Sequence, residues 1–323
     1  MRAILVERLG GPEVLAPAEV PIRPPGPGEI LIRHEAVGLN FIDVYQRTGL
    51  YPAPLPAVPG REAAGTVEAV GEGVSRFRVG DRAGYASEAG AYAECNTVRA
   101  DRAVRLPDSI DSRTAAAALL KGMTAEFLAR RVWPQLAAGD WVLVHAAAGG
   151  VGTILCQWLA HRGVQVIGTA GSAEKAAYAR AHGCAEVVLY REEDVAARVK
   201  ALTGGAGVRV AYDSVGKDTV EASLASLGRR GLFVSFGNAS GPVPGIEPLR
   251  LSRGGSLFLT RPTLFDYIAT TEDLDASAAA LFEVIASGAV TVKVGQTFPL
   301  ERAADAHRAL ESRATTGATL LLP

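Results

Sequence analysis

The sequence predicts an α/β protein in which a doubly wound parallel sheet is joined to a second, β-rich domain. The chain has 323 residues, enough for two domains at roughly 150 residues each. Its first third contains short strand-like runs between Pro and Gly clusters. Its middle alternates short apolar runs with helix-length amphipathic segments, as parallel sheets with crossover helices do.

The β-rich region extends to about residue 121. Its strand-like runs include residues 29–33 and 65–70, and Pro and Gly punctuate the chain at residues 24–28 and 58–60. Short strands with such frequent punctuation predict a barrel-like or sandwich-like β domain.

Residues 122–260 form the predicted parallel-sheet domain. Its apolar runs are rich in Val, Ile and Leu, which suits strands that are covered on both faces. The predicted strands are residues 141–145, 164–168, 186–190, 208–213 and 232–236. Residues 261–323, with a predicted helix at 276–287 and a terminal strand at 319–322, are too few for a third domain. We expect them to return to the first domain.

The composition excludes several classes of protein. The 33 Lys and Arg residues balance 34 Asp and Glu residues, so the net charge of −1 offers no basis for binding nucleic acid. No apolar stretch reaches the roughly 20 residues of a membrane helix, and the N-terminus has no signal-peptide profile. Three widely spaced cysteines suit a reducing compartment. We therefore expect a cytoplasmic protein that does not bind membranes.

The most informative stretch is a strand, turn and helix at residues 141–160. Its turn aligns with G-x-G-x-x-G at Ala147, Gly149 and Gly152, with alanine in place of the first glycine. Such a turn presents backbone N–H groups and the positive end of the helix dipole to a pyrophosphate. We predict a dinucleotide site here; the alternative is a tight turn without a ligand.

The tip of the next strand indicates which dinucleotide is bound. NAD enzymes carry an acidic residue there that bonds the ribose 2′-hydroxyl, but this chain has Ser172 and Lys175 nearby instead. A hydroxyl and an ammonium would attract the 2′-phosphate that a carboxylate would repel. The predicted cofactor is therefore NADPH. The ordinary alternatives are a helix N-cap for Ser172 and a solvated surface lysine for Lys175.

Further motifs are spread along the whole chain. They are GGPEVL at residues 10–15, GLNFIDVY at 38–45, GLYP at 49–52, LKGMT at 120–124, HAAAGGVG at 145–152, VAYDSVG at 210–216, VSFGN at 234–238 and ESRAT at 311–315. Together they resemble the zinc-independent quinone oxidoreductases of the medium-chain dehydrogenase/reductase superfamily, which include zeta-crystallin. The resemblance implies a GroES-like β-barrel domain over residues 1–121, completed by 261–323, a Rossmann NADPH-binding domain over 122–260, and a homodimer.

The resemblance also bears on the chemistry. In zinc-dependent relatives a cysteine ligand falls at Asn40 and a histidine ligand at Arg61, and neither of these side chains supplies a thiolate or an imidazole. It therefore implies a reaction without a metal, in which NADPH gives a hydride to a small quinone. A quinone is already electron-poor, so orientation supplies most of the catalysis, and a water or a tyrosine hydroxyl delivers the proton.

Site residues follow from the same resemblance. Asn40, Tyr45 and Tyr51 are implied to be catalytic. The implied cofactor-binding residues are Asn40, Phe41, Ile42, Tyr45, Lys121, Thr124, Gly149, Gly150, Val151, Gly171, Ser172, Lys175, Tyr190, Ser214, Phe236, Gly237, Asn238, Phe258, Leu259, Thr260 and Arg313. The aromatic residues among them can equally serve as core or loop packing, and Arg313 as a surface residue.

Two other functions stay open at this point. The same metal-free hydride transfer would serve an enone or 2-alkenal reductase. A nucleotide- or RNA-binding protein without turnover is the alternative from a different class, although the balanced charge speaks against tight RNA binding.

Overall fold

The computed structural model describes residues 1–323, which form two compact units. The first unit comprises Met1–Met123, Tyr267–Ser287 and Val292–Pro323, and the second comprises Thr124–Asp266 and Gly288–Thr291. The strands are β1 (Arg2–Leu5), β2 (Ala16–Glu19), β3 (Glu29–Leu39), β4 (Glu62–Val70), β5 (Arg82–Tyr85), β6 (Cys95–Arg99), β7 (Ala103–Arg105), β8 (Trp141–Val144), β9 (Gln165–Ala170), β10 (Glu186–Leu189), β11 (Val208–Asp213), β12 (Leu227–Ser235), β13 (Phe258–Thr260), β14 (Val294–Pro299) and β15 (Ala318–Leu322). The helices are α1 (Phe41–Thr48), α2 (Ser112–Arg130), α3 (Gly150–His161), α4 (Ala173–Ala181), α5 (Val195–Leu202), α6 (Val220–Ser226), α7 (Pro248–Arg253), α8 (Leu264–Tyr267), α9 (Thr271–Ala286) and α10 (Ala303–Glu311).

The first unit is built on a seven-stranded sheet in the order β14-β15-β3-β4-β5-β7, with β6 also paired to β3. Strand β3 pairs with β4, β6 and β15, all antiparallel, so it is the centre of this sheet. The C-terminal strand β15 thus joins a strand from the start of the chain. Strand β3 ends at Leu39 and leads directly into α1, which places the first candidate site residues at the end of a central, buried strand.

Strand β3 is longer than the sequence predicts. The apolar run stops at residue 33, because His34 and Glu35 interrupt it, but the strand continues to Leu39. His34 is buried, and its Nδ1 lies 2.7 Å from the carbonyl oxygen of Ala93. A satisfied polar side chain therefore replaces an apolar one inside the sheet.

The second unit contains a six-stranded parallel sheet in the order β10-β9-β8-β11-β12-β13. All its neighbouring strands are parallel, and α3 to α7 provide the crossovers between them. Strand β12 begins at Leu227 rather than at the predicted residue 232, through a segment with a register shift in which Arg230 has φ 56°. Helix α9, in the first unit, also begins earlier than predicted, because Thr270 caps it by accepting a hydrogen bond from the Asp273 N–H.

The order in which the chain adds strands to this sheet reverses between the neighbouring strands β8 and β11. From β8 the chain moves outward to β9 and β10, and from β11 it moves outward in the other direction to β12 and β13. Because the strands are parallel, the loops after their carboxyl ends lie along one edge. Ligands of doubly wound sheets bind at such a reversal.

The helices carry no candidate membrane span. None of them is both long enough and apolar enough to cross a bilayer.

Candidate active site

The turn between β8 and α3 leaves the start of a helix without a capping side chain. Helix α3 begins at Gly150, and its N-cap, Gly149, has no side chain that could cap the helix. The first N–H groups of a helix have no acceptor within the helix, so those of Gly150 and Val151, at the positive end of the dipole, can bind an anion.

Two backbone features hold this turn in place. Ala146 adopts the left-handed conformation with φ 52°, and its carbonyl oxygen accepts a 2.9 Å hydrogen bond from the Gly149 N–H. A Cβ atom on Gly152 would overlap that same carbonyl oxygen. Glycine is therefore required at 152 for the helix to start this close to the strand, and the predicted fingerprint has a steric basis in the fold. The site fits a pyrophosphate through its uncapped amides.

The end of β9 carries the residues predicted to read the adenosine phosphate. Ser172 is the N-cap of α4, and its Oγ accepts a hydrogen bond from the Lys175 N–H at 3.3 Å. Burial lowers the pKa of Lys175, Glu174 raises it, and the charge of Arg191 lowers it again. The charges of both Glu174 and Arg191 therefore act on the Lys175 ammonium.

Tyr190 and Gly171 complete this group. A Cβ atom on Gly171 would lie 2.5 Å from the Tyr190 hydroxyl oxygen, so the phenol ring covers the glycine. Tyr190 is 41% exposed and follows the neighbouring strand β10. Tyr190 was predicted from the sequence, whereas Arg191 was not singled out, and its only signal is that it follows a predicted site residue.

The ends of β11 and β12 bring Ser214 beside residues 236–238. The Phe236 N–H donates to the Asp213 carbonyl at 2.8 Å, and the Ala239 N–H donates to the Ser214 carbonyl at 3.2 Å. A Cβ atom on Gly237 would overlap the Ser214 carbonyl oxygen, so this contact requires glycine. The predicted residues Ser214, Phe236, Gly237 and Asn238 thus form one group at the edge of the sheet.

The other predicted residues of the second unit lie on β13, the last strand of its sheet. Phe258 and Leu259 are 50% and 42% exposed. The Phe258 ring packs against Trp133 with centroids 5.3 Å apart. Thr260 ends the strand.

Helix α1 of the first unit carries several of the predicted catalytic and cofactor-binding residues. Asn40 is its buried N-cap, and Phe41 and Ile42 form its first turn. The ring centroids of Phe41 and Tyr45 are 6.0 Å apart, and those of Tyr45 and Tyr51 are 5.1 Å apart in an edge-to-face arrangement. The structure therefore groups three of the predicted aromatic residues at this helix.

Asn40 also belongs to a buried polar cluster with Glu62 and Lys121. Asn40 Nδ2 and Lys121 Nζ each donate to Glu62 Oε2 at 2.8 Å. All three side chains are almost fully buried. The sequence did not single out Glu62, because its partners Asn40 and Lys121 are far away in the chain; its only signal was that it follows Arg61.

A second buried chain of hydrogen bonds starts from the same helix. Asp43 Oδ2 accepts from the Asn40 N–H and from the Tyr92 hydroxyl, both at 2.9 Å. The Tyr92 oxygen lies 3.0 Å from His307 Nε2, and Arg47 Nη1 lies 2.9 Å from His307 Nδ1. Because arginine can only donate, His307 carries its proton on Nε2, and every bond runs toward Asp43. Burial raises the pKa of Asp43 to about 7 and lowers that of His307 to about 3.

Three further predicted positions are occupied as follows. Arg61 donates a hydrogen bond to the Ser87 carbonyl at 2.9 Å. Nowhere in the chain are three His, Cys, Asp or Glu side chains grouped so that they could hold a metal ion. Thr124 lies within α2. Arg313 follows α10 with φ 59°, and its N–H donates to the Leu310 carbonyl at 3.1 Å, so its backbone ends the helix.

Two family models match the chain. Residues 26–129 match the alcohol dehydrogenase GroES-like domain family, and residues 150–284 match the zinc-binding dehydrogenase family. These two matches define a protein of the medium-chain dehydrogenase/reductase superfamily and confirm the predicted fold class, a Rossmann sheet with a GroES-like domain.

Full-length relatives give a finer assignment. The quinone oxidoreductase of Pseudomonas aeruginosa is 52% identical over 97% of both chains. The crystal structure of Escherichia coli quinone oxidoreductase complexed with NADPH is 48% identical and superposes over 100% of both chains with a TM-score of 0.98. The 2-haloacrylate reductase of a Burkholderia species is 41% identical over 99% of this chain and 98% of its own. The chain belongs to the quinone oxidoreductase family, as its motifs predict.

Proposed function

We propose that the protein is an NADPH-dependent quinone oxidoreductase, which reduces a small quinone by hydride transfer. The observation that carries this conclusion is the match, over the whole chain, to quinone oxidoreductases, one of them solved with NADPH. The residues of the second unit fit that cofactor, since they offer uncapped amides to a pyrophosphate and two cations to a 2′-phosphate.

Lys175, Arg191 and the Ser172 hydroxyl hold the 2′-phosphate in this proposal. Their charges favour a phosphate dianion, and the end of β9 bears no carboxylate that would prefer a 2′-hydroxyl. Tyr190 covers Gly171 and packs on the adenosine. The first-turn amides of α3 bind the pyrophosphate, and Ser214 with residues 236–238 continues along the cofactor.

Bound NADPH supplies the hydride. The residues at α1 orient the nicotinamide: the Asn40 carboxamide and the Lys121 ammonium bind its polar groups, and Phe41, Ile42 and Tyr45 pack beside it. Orientation of this kind is worth several powers of ten in rate. Tyr51, in edge-to-face contact with Tyr45, lies next to the acceptor, and its hydroxyl or a water delivers the proton to the reduced oxygen. Phenol and hydroquinone oxygens have similar acidity, so this transfer needs no metal.

Single-turnover mixing tests the proposal. The protein is loaded with NADPH and mixed with a benzoquinone or a naphthoquinone, and the nicotinamide absorbance is followed. We expect stoichiometric loss of that absorbance with formation of the hydroquinone. Constant absorbance over a panel of small quinones would contradict the substrate class.

A second candidate function is reduction of an activated C=C bond. The 41% identity to a 2-haloacrylate reductase favours it, since the two sequences align over 98% of that protein. Turnover of a quinone and of 2-chloroacrylate by the same preparation separates the two. Faster turnover of 2-chloroacrylate would make C=C reduction the principal activity.

We also propose that the protein is a homodimer in the cytoplasm. Strand β13 is an edge strand with two half-exposed apolar side chains, Phe258 and Leu259. An open strand edge of this kind pairs readily with a second copy about a two-fold axis. Three buried cysteines, all free thiols, support a reducing compartment.

A further inference from the structure

The Glu62 carboxylate, at the first residue of β4, is the centre of a fully buried socket. Its Oε2 accepts hydrogen bonds from Asn40 Nδ2 and Lys121 Nζ at 2.8 Å, and its Oε1 accepts one from the Leu120 N–H at 2.7 Å. Three donors from two other elements thus converge on one carboxylate that has no solvent contact.

Glycine at position 38 makes room for this carboxylate. A Cβ atom on Gly38 would overlap Glu62 Oε2 and the carbonyl oxygen of Ala116. Strand β3, strand β4 and helix α2 approach one another here only because position 38 has no side chain. The backbone at Gly38 and Ala116 therefore leaves the space that the Glu62 carboxylate occupies.

We infer that Glu62 is a positioning residue for the nicotinamide end of the bound cofactor, which holds the Asn40 carboxamide and the Lys121 ammonium in one arrangement. This inference rests on the proposed function, in which those two side chains bind that end of NADPH. Because Asn40 Nδ2 donates to Glu62, the orientation of the carboxamide is set. Lys121 gives one of its three N–H groups to Glu62, which leaves two for a ligand.

Only a carboxylate can satisfy this socket. All three groups that face Glu62 are donors, so both oxygens of the side chain must accept. A glutamine has the same shape but a single acceptor oxygen, and its NH₂ group would face another donor. The Lys121 ammonium would also lose its counter-charge. Glu62→Gln should therefore move Asn40 and Lys121 without removing either of them.

The test compares Glu62→Gln with the unaltered protein in two measurements. The first is the fluorescence of bound NADPH, which reports on the nicotinamide environment without any turnover. We expect the emission to move toward that of free NADPH, while the dissociation constant rises by less than about fivefold because the phosphates still bind the second unit. The second is single-turnover hydride transfer at saturating NADPH. We expect it to slow about 100-fold, the effect of misplacing a reacting group by about 1 Å.

Glu126→Gln is the matched control. Glu126 lies on α2, is 2% exposed, and is paired with Arg130 and Arg131 at 3.4 Å each. This variant should lower the thermal midpoint but leave the fluorescence and the hydride-transfer rate unchanged. If Glu62→Gln behaves as this control does, with lower stability and an unchanged rate and emission, Glu62 is only structural and the inference is overturned.

Glu62→Asp provides a second variant that keeps the counter-charge of Lys121. Its shorter side chain cannot reach all three donors, so we expect a stable protein with hydride transfer about tenfold slower. A wild-type rate in this variant would contradict the inference, even if Glu62→Gln does not fold. Failure of the proposed function is distinguishable, because the unaltered protein would then leave quinones unreduced, whereas the nicotinamide fluorescence would still report on the role of Glu62.

Discussion

Replacing Asp43 with asparagine removes a buried negative charge while keeping the shape of the side chain. Asp43 is fully buried, and its Oδ2 accepts the Asn40 N–H and the Tyr92 hydroxyl. Its Oδ1 has no hydrogen-bond partner. The asparagine oxygen can keep both accepted bonds, so the variant should fold, and the charge is the main difference between the two proteins.

The pKa of Asp43 gives the size and the sign of the effect. Burial raises this pKa from 3.8 to about 7, so the folded protein binds the proton more tightly than the unfolded chain does. The resulting stabilisation is complete below pH 3.8 and is lost as the pH rises through about 7. At about 1.4 kcal/mol for each pH unit, the loss between about pH 5 and pH 8 is about 3 kcal/mol. An asparagine side chain does not titrate, so the Asp43→Asn variant lacks this loss.

Urea unfolding of both proteins at several pH values between about 5 and 8 measures the effect. The free energy of unfolding of Asp43→Asn minus that of the unaltered protein should rise with pH by about 3 kcal/mol. Burial lowers the pKa of His34 to about 4 and of His307 to about 3, so both stabilise the fold above pH 6.5 and lose that contribution as the pH falls. Both proteins retain these histidines, and their contribution cancels in the difference. A pH-independent difference would refute the argument.

Three further predictions concern the cofactor and the dimer. Lys175→Ala and Arg191→Ala should each weaken NADPH binding about tenfold or more and leave NADH binding unchanged, since a hydrogen bond to a charged group is worth about 1.5–3 kcal/mol. Titrations with the two cofactors measure this, and equal effects on NADPH and NADH would contradict the 2′-phosphate site. Gly152→Ala should lower the free energy of unfolding by about 1–3 kcal/mol in urea and weaken NADPH binding, because its Cβ would overlap the Ala146 carbonyl. If the free energy of unfolding and the NADPH affinity are both unchanged, α3 can move away from Ala146. Phe258→Glu should convert a dimer to a monomer in sedimentation velocity, and a dimer that persists would place the interface elsewhere.

Local sequence patterns were enough to predict the strand, turn and helix around Gly149. They were predictable because the strand, glycines and amphipathic helix are contiguous, and the structure adds the steric reason for Gly152. The absence of a carboxylate at the end of β9 predicted NADPH, and the comparison with a solved NADPH complex confirms that prediction. Motif resemblance predicted the family, which the comparisons also confirm.

Long-range polar contacts were not predictable in this way. Asp43, Tyr92 and His307 form one hydrogen-bonded chain, although 264 residues separate the first from the last in sequence order. Glu62 meets Lys121 only because β3, β4 and α2 converge at Gly38. No spacing rule connects such positions. Strand β3 was predicted too short for a related reason, since the partner that satisfies His34 is the backbone of Ala93.

Titration calorimetry of the unaltered protein with NADPH and then with NADH tests the central claim most directly. If the amides at the start of α3 bind the pyrophosphate and Lys175 and Arg191 bind the 2′-phosphate, NADPH binds at one site per chain. NADH then binds at least about tenfold more weakly than NADPH. Equal affinity for the two dinucleotides, or no heat with NADPH, would contradict it.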